Sequence, residues 1–592
     1  MERARLHQLL RFWREYPHRY RWWYALGLIC LIATNLLTVA IPTFIQYAID
    51  GIAETNPEGL SPMGWAGIML LAGCSIMVVR TLSRTLFFNP GRAVEFYVKS
   101  DIFRKLLGQS RAYFDKMATG DIISRGTNDA NAMRALIGFG SLQLFNVTFI
   151  VLLTTGRMLQ LSPQLALLCV VPLFGGALVM RWAVIKLWSL QAEALAQLSM
   201  LSERILETYA GVSLIQAHNA FSGAHQRFDK ENSKLLDLAE RMLSIRTWLL
   251  PVVGVAGQLC VVVVLYYGGR DVIAGQLTLG QLTAFITYIT VLSGGLRSLG
   301  FLIGAFQRGQ VGLGRIYEVL DAPIDRAEGK TDCPTPNAQG HDVKVTQLSF
   351  TYPKANQPSL QDITFDVKAG STLGLFGPTG SGKSTLLRIL ARTYDPPEGQ
   401  AFLSGVDINT IRVESYWKDV VLVPQEPFLF SQTIRDNIAL RSYGDSVEDG
   451  RLMDALADAQ LSDEVDALAD GLETVVGERG VTLSGGQRQR TALARAFYRP
   501  FQMLILDDVM SAVDHATESA LINAVYRRVD GRTAIMASHR ISVLAQADHI
   551  IVLDEGRIVD QGSHSELCSR PGLYQRAWEL QNGESAEVTI DV

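Results

Sequence analysis

Hydrophobic residues are distributed unevenly along the 592-residue chain, and their spacing predicts two kinds of structure. In the first half, a window of about 19 residues finds six apolar stretches, each close to the roughly 20 helical residues needed to cross a hydrocarbon layer about 30 Å thick. They cover 22–46, 64–88, 135–158, 163–187, 247–269 and 277–305. Trp248–Tyr267 is almost free of charge, whereas the third and sixth stretches carry more polar residues. From 343 onward the pattern becomes that of a soluble α/β domain. Val343–Tyr352 alternates as a half-buried strand does, and Met503–Leu506 and Thr533–Met536 have the continuous apolar character of buried strands. Between the halves, Asp321–Asp342 is polar and interrupted by Pro323, Pro334 and Pro336, as a linker would be. The expected organisation is a membrane domain at 1–320, a linker at 321–342, a nucleotide-binding domain at 343–580 and a tail at 581–592.

The charges beside the spans predict their orientation. Arg3, Arg5, Arg11, Arg14, Arg19 and Arg21 precede the first span, while the loop after it carries Asp50, Glu54 and Glu58 with no Lys or Arg. This places the N-terminus on the cytoplasmic side, and six crossings return the chain there. The inner connections, about 90–134 and 188–246, are far longer than ordinary helix–helix loops. Glu193–Ile215 keeps helical apolar spacing without proline, so the spanning helices are expected to continue into the cytoplasm. Breaks at Ala118-Thr119-Gly120-Asp121 and Tyr209-Ala210-Gly211 are candidate positions for short transverse helices. Arg80, Arg84, Gln143, Asn146, Gln258 and Arg297 are the polar groups within or beside the spans, where lining a cavity competes with snorkelling to the interface.

Composition narrows the class. A mean hydropathy of +0.16 with 19% charged residues is too apolar for a soluble protein of this length. The net charge of −4, without basic runs interleaved with aromatics, gives no reason to expect a nucleic-acid partner. The six cysteines are widely separated and form no C-x-x-C pair, which reads as packing residues. The Arg- and Trp-rich start lacks the pattern of a cleaved signal peptide.

The sharpest chemical signal is Gly377-Pro378-Thr379-Gly380-Ser381-Gly382-Lys383-Ser384, followed by Thr385, between the apolar strand Leu373–Phe376 and a helix starting near Ser384. It fits G-x-x-x-x-G-K-[ST], in which glycines let successive backbone N–H groups close around phosphate at a helix N-terminus. Lys383 would neutralise the β- and γ-phosphates, and the Ser384 hydroxyl could ligate Mg²⁺. Asp507, ending the apolar run Met503–Leu506, is a carboxylate where a P-loop protein holds its Mg²⁺.

Leu483-Ser484-Gly485-Gly486-Gln487 leads into an amphipathic helix. With the P-loop and Asp507, it gives the chain a close resemblance to the ATP-binding-cassette superfamily, and the order of spans then cassette resembles its multidrug and lipid exporter half-transporters. The resemblance covers nearly the whole chain. It implies an all-α, six-helix transmembrane domain of the type I exporter kind joined to an α/β P-loop cassette, with ATP and Mg²⁺ as ligands. It also implies that Tyr352 stacks on adenine, Gln425 links Mg²⁺ to the membrane domain, and His539 contacts γ-phosphate. Ser484, Gly485, Gly486 and Gln487 would bind ATP held by another subunit's P-loop. Ser511-Ala512-Val513-Asp514 would cross the dimer, and Gly477-Glu478-Arg479-Gly480 would touch coupling helices in or near 118–121 and 209–216.

One position departs from the family pattern. Where the family carries Glu, the carboxylate that orients the attacking water, this chain has Asp508. One methylene less withdraws the carboxylate by about 1 Å, a misplacement that can lower a rate about 10²-fold. Among similar exporters this change marks one subunit of a heterodimer, so a heterodimer is favoured and a homodimer with a working Asp508 is the alternative. The resemblance implies export of an amphipathic drug-like or lipid-like substrate across a bacterial cytoplasmic (inner) membrane, with both termini cytoplasmic. An ATP-gated channel or membrane sensor is the reading from another class. A soluble cassette ATPase is excluded by the spans, and a peptide-processing exporter is not expected, because about 20 residues precede the first span.

Overall fold

The computed structural model describes residues 2–53, 60–117, 119–324, 326–336, 340–440, 447–477, 480, 482–510 and 515–587. Ala118, Glu54, Glu58, Glu478, Arg479, the Ser511–Asp514 segment and the side chain of Arg297 lie outside the described residues. The chain divides into two compact units, one comprising Met1–Leu107 and Gly120–Ala322, the other Gly108–Thr119 and Pro323–Val592.

The first unit is helical. Among the described residues, five helices are long and apolar enough to cross a membrane: Pro17–Ile52, Pro62–Leu107, Thr119–Leu161, Pro163–Ala210 and Phe221–Ile273. The first five expected spans lie inside them. The sixth falls in the helix Leu279–Leu320, several of whose side chains between 296 and 307 are outside the described residues. At 1.5 Å per residue, the 48-residue helix Pro163–Ala210 is about 70 Å long, well beyond a hydrocarbon core. The long inner connections are therefore continuations of spanning helices. Pro42, Pro90, Pro172 and Pro251 all sit inside helices, as membrane helices tolerate where neighbouring groups satisfy the freed carbonyls.

Local chemistry sets the helix ends. Ser162 caps Pro163–Ala210, its Oγ accepting from the Leu165 N–H at 3.4 Å. Thr278 and Gln281 form a reciprocal capping box at the start of Leu279–Leu320. Asp50 adds its carboxylate to that N-terminus, accepting from Gly280 N at 2.9 Å and Thr278 Oγ1 at 3.0 Å. A Cβ at Gly280 would meet Gln46 O at 2.4 Å, so this close approach requires glycine. Farther along the chain, Arg125, largely buried, bonds Asp121 at 2.9 Å, Glu318 at 2.8 Å and the Arg315 carbonyl at 2.7 Å, while Arg315 pairs with Asp129 at 3.3 Å. Burial of Arg125 is offset by these carboxylates, which hold its guanidinium above its usual pKa.

The second unit contains two sheets. β1 (Val343–Phe350), β2 (Leu360–Val367), β4 (Ala401–Leu403) and β5 (Val406–Asp407) form an antiparallel sheet in the order β2-β1-β4-β5. β3 (Thr372–Phe376), β6 (Val420–Val423), β7 (Met503–Asp507), β8 (Thr533–Ala537), β9 (His549–Asp554) and β10 (Arg557–Gly562) form the other, in the order β10-β9-β3-β8-β7-β6. Its pairs are parallel except β9 with β10. β3, β7 and β8 are buried along their whole length, explaining their continuous apolar runs.

The short helix in the first inner connection is Arg111–Lys116, just before the break read at 118–121, and it clusters with the second unit. The short helix Val212–Ala217 follows directly on the second break, with Gly211 between it and the long helix Pro163–Ala210.

Candidate functional site

Four neighbouring parallel strands each deliver chemistry just past their carboxyl ends, where open α/β sheets place their ligands. β3 runs into the Gly377–Ser384 loop, β7 ends in Asp507 and is followed by Asp508, β6 is followed by Gln425, and β8 by His539. The order β3-β8-β7-β6 makes residues up to 162 positions apart in sequence neighbours in space.

The loop between β3 and the helix Lys383–Leu390 depends on backbone freedom. Gly382 has φ +103°, and a Cβ there would meet Leu360 Cδ2 at 2.8 Å and Ser359 O at 2.9 Å. Pro378, Thr379 and Gly380 are exposed, Ser381 and Thr385 are buried, and Lys383 and Ser384 are half-buried. Lys383 Nζ donates to the Gly377 carbonyl at 2.7 Å and the Pro378 carbonyl at 2.9 Å, which holds the ammonium across its own loop. Burial lowers the ammonium's pKa, and the carboxylates of Asp508 and Asp507 oppose that shift. Ser384 Oγ donates to Asp507 Oδ1 at 2.8 Å. Burial pushes the Asp507 carboxyl up, with the Ser384 hydrogen bond and Arg388 acting against it.

Asp508 is the meeting point of the remaining candidates. Its Oδ2 lies 3.0 Å from His539 Nδ1 and accepts from Gln425 Nε2 at 3.3 Å. Its N–H donates to the Ala537 carbonyl at 2.9 Å, and its φ is +51°, a left-handed conformation that Asp tolerates better than most residues. Gln489, on the helix following the Ser484–Gln487 motif, donates to the Gln425 carbonyl at 3.3 Å and steadies that residue.

Tyr352 does not stand alone. Its ring meets Phe350 and Tyr394 edge-on, both with centroids at 5.2 Å, and its hydroxyl donates to Thr385 Oγ1 at 3.2 Å. Tyr394 in turn hydrogen-bonds Asp115 on the helix Arg111–Lys116.

An open cavity of about 740 Å³ borders the loop, lined by Gly380–Thr385 and by Gln357, Ser359, Gln361, Glu555 and Gly556. Sequence reasoning missed these last five. Gly556 sits in the two-residue turn between β9 and β10, donates to Ser381 O at 3.1 Å, and accepts from Gln361 N at 2.8 Å. Its place in a tight hairpin is a readable signal, but its approach to the phosphate loop is not.

None of Ser484, Gly485, Gly486 and Gln487 lines that cavity. Ser484 caps the 14-residue helix Gly485–Tyr498, accepting from Gln487 N at 3.2 Å while the Gln487 side chain accepts from Ser484 N at 2.8 Å. Ser484 and Gly485 are exposed, so the N-terminal end of this helix faces outward.

Comparison with known proteins agrees with this architecture. Residues 24–296 match the family model "ABC transporter transmembrane region", and residues 360–511 match "ABC transporter". The chain is 32% identical over 570 residues to a probable multidrug resistance ABC transporter ATP-binding/permease protein of Bacillus subtilis (strain 168), covering 95% of this chain and 96% of the relative. It is 28% identical over 569 residues to an ATP-dependent lipid A-core flippase of Syntrophus aciditrophicus (strain SB), covering 95% and 93%. Its fold matches that of a bacterial Atm1-family ABC exporter with ATP bound, at a TM-score of 0.81 and 24% identity, covering 95% of this chain and 98% of the other. With a helical membrane region and an ATP-binding cassette on one polypeptide, the chain belongs to the ABC exporter half-transporters, multi-pass membrane ATPases that couple ATP hydrolysis to transport.

Proposed function

We propose that this chain is one subunit of a heterodimeric exporter that moves an amphipathic, drug-like or lipid-like substrate across the cytoplasmic membrane, with both termini in the cytoplasm. The observation that carries the dimeric part is the separation of the P-loop cavity from the Ser484–Gln487 motif. The cavity has phosphate-binding groups on one wall, and the exposed helix start has N–H groups with nothing of this cavity to bind. Two copies of such a surface facing each other would give two composite sites, each with one subunit's Lys383 equivalent and the other's Ser484 equivalent. ATP held there would draw two cassettes together, and its hydrolysis would release them, giving the membrane helices two states.

Within the site, Lys383 would hold the β- and γ-phosphates, Tyr352 would face adenine, and His539 would contact γ-phosphate. Ser384, Asp507 and Gln425 offer oxygen donors, and the 2.8 Å Ser384–Asp507 contact already brings two of them together. That donor set suits Mg²⁺, a hard cation, which when bound would neutralise charge on the phosphates.

The heterodimer rests on Asp508. Its short side chain keeps the carboxylate against His539 and Gln425, back from where a Glu would reach. The same contacts favour a second reading, a homodimer in which Asp508, already held by both residues, is the working carboxylate. The relatives' names, one a probable multidrug resistance transporter and one a lipid A-core flippase, support an amphipathic substrate. The test is ATP-dependent uptake of fluorescent amphiphiles into sealed inside-out vesicles. Accumulation against a gradient is the outcome for an exporter, whereas ATP-dependent equilibration without accumulation would identify a gated channel.

A further inference from the structure

Away from the nucleotide cavity, three side chains of unlike chemistry converge. The atoms Cys333 Sγ, His341 Nε2 and an Asp419 carboxylate oxygen all lie within 4.8 Å of one another. His341 Nε2 is 3.9 Å from the sulfur and 3.2 Å from Asp419 Oδ2. We propose that Cys333, His341 and Asp419 form a zinc-binding site that fastens the linker to the cassette.

The distances suit such a site. Tetrahedral zinc with bonds of about 2.0 to 2.3 Å places its ligand atoms roughly 3.3 to 3.6 Å apart, so contraction of at most about 1.5 Å closes the triangle. Sulfur, imidazole and carboxylate together favour zinc over Mg²⁺ or Ca²⁺, which take oxygen. His341 Nδ1 lies 2.9 Å from Ser404 Oγ, a partner that can accept its proton and leave Nε2 free for metal. His341 is fully buried, while Cys333 is half-buried and the Asp419 side chain is 27% exposed, leaving the fourth position open to water.

All three ligands sit on anchored backbone. Thr331 N donates to Thr410 O at 3.1 Å, Arg412 N donates to Thr331 O at 2.7 Å, and Cys333 N donates to Ser415 Oγ at 2.8 Å, which fixes the linker beside the cassette. The His341 carbonyl accepts from Thr533 Oγ1 at 2.5 Å and that of Asp419 from Gln502 N at 2.8 Å. A buried histidine paired with Asp and Ser is a common structural motif, and here a thiol lies within reach of both the same nitrogen and the Asp419 carboxylate. Burial and the Asp419 carboxylate push that thiol up to about 12. Metal entry displaces the thiol proton to solvent, and ligation through Nε2 requires His341 to carry its proton on Nδ1, facing Ser404.

The test is Co²⁺ titration of the nucleotide-free, chelator-stripped full-length chain in lipid nanodiscs, followed by Zn²⁺ competition. A thiolate-to-cobalt charge-transfer band should grow to one equivalent per chain and vanish when Zn²⁺ is added. Cys333→Ser should abolish the band, Asp419→Asn should weaken Zn²⁺ binding tenfold or more, and Cys568→Ser should change neither. The last is the control because Cys568 Sγ lies 3.7 Å from His564 Nδ1. Cys333 and Asp419 are chosen because neither is fully buried, and unchanged melting of each metal-free variant verifies folding. A band that is absent from the wild type, or equally strong in folded Cys333→Ser, overturns the proposal.

Discussion

Nδ1 of His539 lies 3.0 Å from Oδ2 of Asp508, the residue that follows the last position of β7. The pair exists because β7 and β8 are parallel neighbours in register, Asp507 opposite Ala537, so the residues just beyond their ends meet. Gln425, from beyond the next strand, reaches the same oxygen. A glutamate at this position would extend about one methylene, roughly 1 Å, farther than the aspartate does. Asp508 therefore fixes where the carboxylate sits, and every expectation about rate follows from that placement.

Lys383 is half-buried and has given up part of its hydration to two loop carbonyls. Removing its charge takes away charge-assisted bonds worth about 1.5 to 3 kcal/mol each, so Lys383→Ala should weaken ATP binding at this subunit's own site by about 10-fold to 100-fold. Equilibrium binding of a fluorescent ATP analogue to the lipid-embedded chain measures this, and unchanged affinity would remove Lys383 from the site.

Ser484 acts on a different surface. Ser484→Ala should cost about 1 kcal/mol of local helix stability through loss of the cap. ATP affinity at the mutated subunit's own P-loop should stay within about twofold, while hydrolysis at the partner's P-loop falls. Nucleotide trapping with the two subunits separately labelled distinguishes these effects, and loss confined to the mutated subunit's own site would mean that the site is self-contained.

Tyr394 connects Tyr352, beside the P-loop helix residue Thr385, with Asp115 on the short helix Arg111–Lys116. Tyr394→Phe keeps the aromatic packing and removes the hydroxyl. It should leave ATP affinity unchanged and reduce stimulation of ATPase activity by transported substrate several-fold. Equal stimulation in both proteins would assign this hydrogen bond to stability alone.

Features contained in one contiguous segment were readable before the fold. The phosphate loop needs only its own glycines, Lys383 and the flanking strand and helix, all within Thr372–Leu390. The spans were readable because crossing a bilayer imposes length and apolarity on each helix separately. The cavity's other wall was not, because Ser359, Gln361, Glu555 and Gly556 arrive from the antiparallel sheet and the β9–β10 turn by packing that no local pattern encodes. The short helix Arg111–Lys116 ends just before the break at 118–121, whose Gly120 is the more visible local signal. Ser110, in extended conformation at its N-cap position, was the signal that marks its start. The Tyr394–Asp115 contact joins residues 279 apart in sequence and has no periodic trace.

Steady-state ATPase activity of the purified chain in lipid, alone and mixed with candidate partner half-transporters, tests most directly whether Asp508 marks a degenerate site in a heterodimer. Negligible activity alone, brisk activity with one partner, and little change in that complex on Asp508→Ala are expected. Robust activity from the chain alone that disappears in Asp508→Ala would contradict it, making the protein a homodimer in which Asp508 is the working carboxylate.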